Sequence, residues 1–248
     1  MRYLVLSDIH GNLEALDAVL VHAADQHYER VLVLGDLVGY GADPNAVVER
    51  VIALAPAGVI RGNHDKVASG VESPEGFNAA AHRAVSWTQA ELTPANQAYL
   101  AALPEGPLDI DEAVEICHGT PSDEDEYLFE AHDAAKALRD SGRATCFFGH
   151  THIPVIYQLS PDSSLDASGP DRSSARRLSL QPASKYLINP GSVGQPRDGD
   201  PRAGYAIFDT KTSELTLFRV AYPVEAAQAK IREAGLPEVL ASRLALGR

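Results

Sequence analysis

Short β-rich apolar runs alternate with amphipathic stretches through the first 65 residues of this 248-residue chain. The apolar runs are Tyr3 to Leu6, Val31 to Leu34 and Val59 to Ile60. Between them, helical patterns extend from Leu13 to about His22 and from Pro44 to about Leu54. Such alternation is typical of βαβ units, in which parallel strands are joined by a crossover helix. The rhythm therefore predicts a parallel sheet covered by helices.

The rest of the chain continues both patterns. Residues 71–108, which are helical in pattern from Asn78 to Leu103, are expected to lie near the functional site. Later apolar runs predict a second, mostly antiparallel sheet. We therefore predict an α/β fold of two stacked mixed β-sheets flanked by helices, a four-layer αββα sandwich. Strands resume at Val114–Cys117 and Thr145–Phe148, and the second sheet is assigned Val155–Leu159, Lys185–Ile188, Tyr205–Phe208 and Leu215–Val220.

We expect residues 1–248 to form one domain, because a chain of this length with 45% hydrophobic residues can bury most of its unfolded surface in one large core or two packed layers. Residues 160–184 are rich in Ser, Asp, Pro and Arg without periodicity, which predicts a long surface loop inserted between two strands. Residues 223–248 are helical in pattern, interrupted at Gly235 and Pro237. This C-terminal tail is expected to pack on the body of the protein.

Composition excludes several classes of protein. The formal net charge of −13 disfavours binding to long nucleic acid, since the overall field repels polyanions. No apolar run approaches the roughly 18 residues of a membrane span, so no membrane association is expected. Cys117 and Cys146 are the only cysteines, which excludes a disulfide framework and fits a reducing compartment. We therefore expect a cytoplasmic protein.

Five polar clusters each follow directly on a predicted strand. Residues just beyond the carboxyl ends of strands in an α/β sheet gather in one crevice, so clusters that are distant in sequence can meet in space. Neighbouring glycines permit the sharp turns that a crowded site requires. The clusters are Asp8-Ile9-His10, Gly35-Asp36, Gly62-Asn63-His64-Asp65, His118-Gly119 and Gly149-His150-Thr151-His152.

These clusters offer carboxylates, imidazoles and one amide but no thiolate, a set that suits Mn, Fe, Zn, Ni or Co. Seven donors exceed the needs of one catalytic ion, and a central Asp36 can bridge two ions about 3.5–4 Å apart. Asp8 with His10, and His150 with His152, are two residues apart, so in an extended backbone each pair points to one side. The predicted ligands of two divalent ions, with Mn preferred, are Asp8, His10, Asp36, Asn63, His118, His150 and His152.

Two divalent ions would leave the pocket positive in an otherwise acidic protein, which favours a small phosphorylated substrate, such as a nucleotide. They would also lower the pKa of a bound water toward about 7, so that it can attack phosphorus. His64 follows Asn63 directly, and in an extended chain neighbouring side chains diverge, so it is free of the metals. Its expected role is to protonate the leaving oxygen or to stabilise charge on phosphoryl oxygens.

The ordered set of these five clusters resembles the calcineurin-like metallophosphoesterase family over about residues 1–220. The resemblance implies a sandwich of two sheets and two metal sites. The run from Asn189 to Arg197 is similar to a loop of the small bacterial phosphodiesterase branch, which favours phosphodiesters over phosphomonoesters. One implied metal site consists of Asp8, His10, Asp36 and His152, and the other of Asp36, Asn63, His118 and His150.

Substrate contacts stay open at this stage. Arg197 could contact a phosphate oxygen or merely steady its own loop, and Tyr40 could line a substrate pocket or simply pack. The protein serine/threonine phosphatase branch carries Asp-Arg where this chain has Gly39-Tyr40-Gly41, so the partner that orients His64 is not identified. Asp65 is one candidate, although it can equally cap the following segment.

Alternative functions follow from the same resemblance. A nuclease would need a basic groove, and a protein phosphatase would need the missing arginine clamp. A non-catalytic scaffold with this fold would be expected to have lost some metal ligands, whereas all are present here. The oligomeric state cannot be inferred from the sequence. The remaining histidines, His22, His27, His82 and His132, are expected to have no role in the site.

Overall fold

The computed structural model describes residues 1–248 and contains two six-stranded β-sheets flanked by helices. The strands are β1 (Arg2–Leu6), β2 (Arg30–Val33), β3 (Gly58–Val59), β4 (Leu108–Asp109), β5 (Val114–Ile116), β6 (Thr145–Phe147), β7 (Val155–Leu159), β8 (Leu165–Ser168), β9 (Ala175–Ser179), β10 (Lys185–Asn189), β11 (Ala203–Asp209) and β12 (Glu214–Val220). The helices are α1 (Leu13–Ala24), α2 (Pro44–Ala53), α3 (Asn63–Ser69), α4 (Ala79–Glu91), α5 (Pro94–Ala101), α6 (Ala131–Asp140), α7 (Val224–Glu233) and α8 (Glu238–Ser242), followed by a 3-10 turn at Arg243–Leu246.

Both sheets are mixed. In the first, the order is β3-β2-β1-β11-β12-β9, and β1, β2 and β3 are parallel as the βαβ rhythm predicted. In the second, the order is β4-β5-β6-β10-β7-β8, with β5, β6 and β10 parallel. The assignment of Tyr205–Phe208 and Leu215–Val220 to the second sheet was wrong. These strands become β11 and β12, and β11 pairs antiparallel with β1.

Alternate residues of β1 divide the core into layers. Leu4 and Leu6 face the helices of the first sheet, where α1, α2 and α7 pack, whereas Tyr3 and Val5 lie in the apolar layer between the two sheets. A third apolar cluster lies under α6, on the outer face of the second sheet. This succession of helices, sheet, sheet and helix confirms the predicted αββα sandwich.

Residues 160–184 are not the unstructured loop that their composition predicted. Leu165–Ser168 forms β8, which pairs with β7, and Ala175–Ser179 forms β9, which pairs with β12. Each is the outermost strand of its sheet, and the side chains of β9 alternate between exposed and half-buried. Because an edge strand buries little and carries charged residues against further pairing, its apolar signal is weak.

The C-terminal tail is helical and packs on the body, as expected. Lys230 of α7 reaches Glu14 (2.5 Å) and Asp43 (2.8 Å), and the amide of Gly199 donates to the carbonyl of Gly247 (2.9 Å). None of the helices is both long and apolar enough to cross a membrane.

Candidate active site

The predicted ligand residues meet beyond the carboxyl ends of strands from both sheets. Asp8 and His10 follow β1 and Asp36 follows β2, while the second sheet contributes His118 after β5. The donor atoms of Asp8, His10, Asp36 and His152 lie within 4.8 Å of one another. The donor atoms of Asp36, His118 and His150 form a second group within the same distance. Asp36 belongs to both groups, so the geometry offers two adjoining places for a cation. The six residues of these groups are all buried: Asp8, His10, Asp36, His118, His150 and His152.

The backbone at these ligands is left-handed rather than extended, so the geometric reason given for the residue pairs was wrong. The φ angles are 51° at Asp8, 51° at His10, 52° at Asp36, 65° at His150 and 60° at His152. Each such conformation costs about 1–3 kcal/mol in a residue other than glycine, and it persists where the surrounding structure fixes it. The clustering of five at one site marks the place where the chain bends sharply to aim side chains inward.

One ring nitrogen of each histidine in the two groups bonds to a backbone carbonyl. A carbonyl oxygen only accepts, so the proton must reside on the ring nitrogen that faces it. The other nitrogen of each ring is then free to present its lone pair to the interior of the site. The four bonds are His10 Nδ1 to Val38 O (3.0 Å), His118 Nδ1 to Leu34 O (2.7 Å), His150 Nε2 to Asp125 O (3.1 Å) and His152 Nδ1 to Gln195 O (2.6 Å).

The free nitrogens of these rings face one another in pairs. His10 Nε2 lies 3.1 Å from His152 Nε2, and His118 Nε2 lies 3.1 Å from His150 Nδ1. Two lone pairs at this distance repel unless a proton or a cation lies between them. Each pair also lies beside a carboxylate, since Asp36 Oδ2 is 3.4 Å from His10 Nε2 and 3.5 Å from His118 Nε2.

The two carboxylates are held in place by backbone amides. Asp36 Oδ1 accepts a hydrogen bond from the amide of His64 (2.9 Å), which leaves Oδ2 directed at the histidines. Asp8 Oδ1 accepts from the amide of His150 (3.1 Å) and lies 3.4 Å from His152 Nε2. Glycine is required at position 149 because a Cβ there would overlap the side chains of Ser7 and Asp8.

The pKa values show how tightly these charges interact. Burial alone would lower the pKa of His118, but Asp36, through charge and hydrogen bonding, and then Asp8 raise it to about 10. Burial raises the pKa of Asp36, yet the imidazoles around it prevail and hold it well below its usual range. Burial lowers the pKa values of His10 and His152 well below the ordinary histidine value. Without a cation, His118 therefore carries a second proton and is positively charged, whereas the rings of His10 and His152 are neutral.

Asn63 lies at the start of α3 and borders the same region. Its Oδ1 atom is buried and has no hydrogen-bond partner within the protein. A buried amide oxygen without a partner is costly, so it is placed to accept a ligand. The structure thus groups six of the seven predicted donors, and Asn63 lines the adjoining cleft together with His150.

His64 also lies in the first turn of α3. The chain there is helical, so the expectation of an extended backbone at His64 was wrong. The ring is held by packing: its centroid lies 4.3 Å from that of Tyr40, 4.7 Å from that of Phe77 and 4.9 Å from that of His10. Its Nδ1 has no hydrogen-bond partner within the protein, and a Cβ at Gly39, where φ is +88°, would overlap it. Burial lowers the pKa of His64 to about 4, so the ring is neutral at pH 7.

Asp65 caps the backbone and does not orient His64. Its carboxylate accepts hydrogen bonds from the amides of Val38 (3.2 Å) and Gly62 (3.0 Å). This contact joins the loop after β2 to the start of α3. Of the two roles that the sequence left open for Asp65, orienting His64 or capping the following segment, capping is therefore correct.

The loop from Asn189 to Arg197 supports the ligand loops from behind. The side chain of Asn189 donates to Gly149 O (2.7 Å), and the hydroxyl of Ser192 donates to Asp8 O (2.7 Å). Arg197 lies with its guanidinium carbon 5.7 Å from the centre of the Tyr40 ring, and it bonds to the side chain of Gln195 (2.9 Å). The positive charge of Arg197 helps to lower the pKa of His152, so this charge lies near the metal groups.

A cleft of about 370 Å³ opens in front of Asn63 and His64. The sequence indicated Tyr40 as a possible pocket residue, and Tyr40 lines this cleft together with Phe77. It gave no indication of Asp125 and Tyr127, which lie in an irregular segment after β5. The carbonyl of Asp125 bonds to His150, and the ring centroid of Tyr127 lies 3.7 Å from that of His150. Polar, aperiodic segments carry no signal of this kind.

A double cluster of buried Asp and His at the strand ends of an αββα sandwich defines a metal-dependent hydrolase of the phosphoesterase class. The chain belongs to the calcineurin-like phosphoesterase superfamily, whose sequence model matches residues 1–213. The predicted family is thereby confirmed, and with it the assignment as an enzyme.

Several proteins of similar length resemble this chain in sequence or in structure. An uncharacterized protein of Methanocaldococcus jannaschii is 39% identical, and the match covers 98% of this chain and 97% of that protein. The crystal structure of a metallophosphoesterase from Sphaerobacter thermophilus is 41% identical, with a TM-score of 0.87 over 100% of this chain and 99% of the other. A hypothetical protein from Pyrococcus horikoshii OT3 shares the fold at 20% identity, with a TM-score of 0.80 over 100% of this chain and 98% of that one.

Proposed function

We propose that the protein uses two divalent metal ions, preferably Mn, to hydrolyse the phosphoester bond of a small phosphorylated substrate, with phosphodiesters preferred over phosphomonoesters. One ion would be held by Asp8, His10, Asp36 and His152, and the other by Asp36, Asn63, His118 and His150. The mixed oxygen and imidazole donors fit a first-row divalent ion of this kind.

The observation that carries this proposal is the pair of facing imidazole lone pairs on either side of Asp36. Backbone carbonyls fix a proton on the outer nitrogen of each ring. Without a cation, the inner nitrogens of His10 and His152 therefore repel, whereas those of His118 and His150 stay close because His118 carries a second proton. Such an arrangement is stable when a cation accepts both lone pairs, and the bridging carboxylate adds negative charge where two cations would repel. The unpartnered Oδ1 of Asn63 provides a further donor for the second ion.

When bound, the two ions would supply positive charge to the phosphate and lower the pKa of a water toward about 7 so that it can attack phosphorus. The residues of this chain orient that chemistry. Asp36 is fixed between the two positions by the amide of His64, and the four carbonyl contacts prevent the imidazoles from turning away.

His64 and Arg197 are proposed to act on the substrate directly. The neutral ring of His64 lines the cleft and can donate an N–H hydrogen bond to a phosphoryl oxygen or to the leaving oxygen. Arg197 carries a permanent charge beside Tyr40, at the edge of the metal groups, and can contact the phosphate. Tyr40 contacts both residues and keeps them at a fixed separation.

The test is turnover of aryl phosphate diesters and monoesters by the purified protein with added Mn. We expect the variant His118→Ala to lose more than about 100-fold in kcat/KM, since even the outer partners of metal ligands typically contribute 10–100-fold. The matched control is His132→Ala, because His132 is 81% exposed and pairs only with Asp133. Full activity in His118→Ala, or none in the wild-type protein with any divalent ion, would refute the proposal.

A further inference from the structure

The cleft in front of Asn63 and His64 is the route by which a substrate can approach the site. Its volume of about 370 Å³ is near the lower end of the roughly 300–1,000 Å³ found for small-molecule sites, so it accommodates one ring system. His64 is 4% exposed, and its unpartnered ring borders the cleft. A phosphate held at the metal groups would therefore direct its ester group into this cleft.

The wall of the cleft presents unusually exposed aromatic surface. Tyr127, which lines the cleft, is 49% exposed. Its ring stacks on that of Phe129, with an interplanar angle of 7° and centroids 5.8 Å apart; Phe129 is 57% exposed and lies outside the lining of the cleft. The Tyr127 ring lines the cleft and covers His150, and Phe77 lines it beside His64. Exposed aromatic patches of this kind are typical of sites that receive another flat ring.

The charge of the cleft is negative. Glu72, Glu75 and Asp125 line it, and none of the residues lining it is Lys or Arg. Lys66, which contacts two of these carboxylates, is 4% exposed, and its ammonium group is bonded to Asp125 (2.6 Å) and Glu72 (2.8 Å). That lysine fixes the two carboxylates at the wall of the cleft and is neutralised by them, so it is not available to an anionic ligand.

Positive charge is concentrated at the other end of the site. Arg197 lies over Tyr40, which borders both the metal groups and the cleft, but Arg197 itself does not line the cleft. The phosphate end of the site is thus cationic once metals are bound, whereas the end that receives the ester group is aromatic and acidic. A second anionic group on the substrate would lie against carboxylates.

Resting on the phosphoesterase function proposed above, we infer that the ester group that enters this cleft is a single flat aromatic ring system, and that it carries no phosphate or carboxylate beyond the scissile phosphate. A neutral aryl or nucleoside group meets this description. A nucleoside polyphosphate does not, because its additional phosphates would face Glu72, Glu75 and Asp125.

Binding of phosphonates to the Mn-loaded protein, measured by calorimetry, tests this without turnover, since their C–P bond is not hydrolysed. Methylphosphonate reports the phosphate site alone, and phenylphosphonate adds one ring. We expect phenylphosphonate to bind about tenfold more tightly, the scale of one stacked ring. Among para-substituted rings, the aminomethyl compound should bind about tenfold more tightly than the carboxylate, because of the acidic lining.

Two variants assign these differences to residues. Tyr127→Leu should bring the ratio between the affinities for phenylphosphonate and methylphosphonate, measured on the same variant, close to one. Glu75→Gln should reduce the affinity difference between the aminomethyl and carboxylate compounds by about twofold, a third of a decade, because it removes one of three carboxylates. The matched control for the second variant is Glu233→Gln, since Glu233 is exposed on α7 and does not line the cleft.

The possible failures are distinguishable. Equal binding of methylphosphonate and phenylphosphonate, or tighter binding of the carboxylate than of the aminomethyl compound, would overturn the inference while leaving the phosphate site intact. If methylphosphonate itself does not bind in the presence of Mn, the proposed phosphoesterase site is wrong and the inference fails with it.

Discussion

The protonation of single nitrogens determines what this site can hold. Each of the four clustered histidines donates one N–H to a backbone carbonyl and directs its other ring nitrogen inward. In the metal-free protein, only the inward nitrogen of His118 is protonated. These four side chains were identifiable from sequence because polar residues at strand ends are otherwise unexplained. Their partners were not identifiable, because the carbonyls of Val38, Leu34, Asp125 and Gln195 are backbone atoms that carry no residue-specific signal.

The affinity of the second metal position should depend on pH. In the metal-free protein Asp36 and Asp8 raise the pKa of His118 to about 10, so a metal must displace a proton at neutral pH. Affinity at this position is expected to rise about tenfold per pH unit between pH 6.5 and 8, since one proton is released. Calorimetric titration with Mn at several pH values measures how the logarithm of the affinity changes with pH. A second-site affinity that does not change with pH would contradict this assignment.

His64 should contribute to turnover and not to metal binding. Removal of the ring in His64→Ala is expected to lower kcat by about 100-fold or more, the usual scale for a group that assists proton transfer or charge stabilisation. Metal content should remain that of the wild type, because the ring is not among the clustered donors. Steady-state kinetics and elemental analysis on the same sample check both, with His132→Ala as the control. Loss of metal together with activity would show that His64 is a ligand.

At the scale of elements, α3 connects the proposed second metal position to the carboxylate that the two positions share. Its first turn carries Asn63 and His64, and the His64 amide fixes Asp36. The sequence did not indicate this helix, since Asn63 to Ser69 is short and follows a glycine in extended conformation rather than a standard capping residue. The helix is instead anchored by Asp65, which bonds backward to Gly62 and across to Val38.

The contact made by Asp65 should be worth a measurable part of the stability. Asp65→Ala leaves two buried backbone amides without an acceptor, at about 1–3 kcal/mol each, so we expect a loss of about 2–6 kcal/mol in the free energy of unfolding. Asp162→Ala is the matched control, because Asp162 also accepts a local backbone bond but in an exposed turn. It should change stability by no more than about 0.5 kcal/mol. Urea unfolding of both variants decides the matter, and similar effects would refute the role of Asp65.

The elements that sequence analysis missed share a physical cause. The strands β8 and β9 lie at sheet edges and bury few side chains, so neither has a continuous apolar pattern. Strands with strong patterns, such as β1 and β2, were predicted because both of their faces are buried. Propensity and periodicity report burial, and they report little about elements that remain half in solvent.

At the scale of the whole molecule, the site depends on the registry between two sheets. The first sheet supplies Asp8, His10 and Asp36, and the second supplies His118, His150 and His152. The sequence predicted that strand ends converge but not which sheet accepts β11. That choice is made by the packing of β11 against β1, a contact between residues some 200 positions apart. Such long-range pairing leaves no local trace.

Because metals would join the two sheets, they should stabilise the folded chain. At a free Mn concentration of about 100 times Kd, binding adds about 2.7 kcal/mol. For a protein of this size that corresponds to a rise of about 5–10 °C in Tm. Thermal unfolding with Mn and with a chelator measures it, and His118→Ala should show a smaller rise. An unchanged Tm would indicate that the donor clusters do not bind metal in the folded state.

The most direct measurement of the central claim is anomalous diffraction at the Mn edge from crystals of the Mn-loaded protein. Two peaks about 3.5–4 Å apart are expected, with Asp36 Oδ2 between them and the inner nitrogens of the four histidines as ligands. A single peak, or an Asp36 side chain directed away from His10 and His118, would contradict the account.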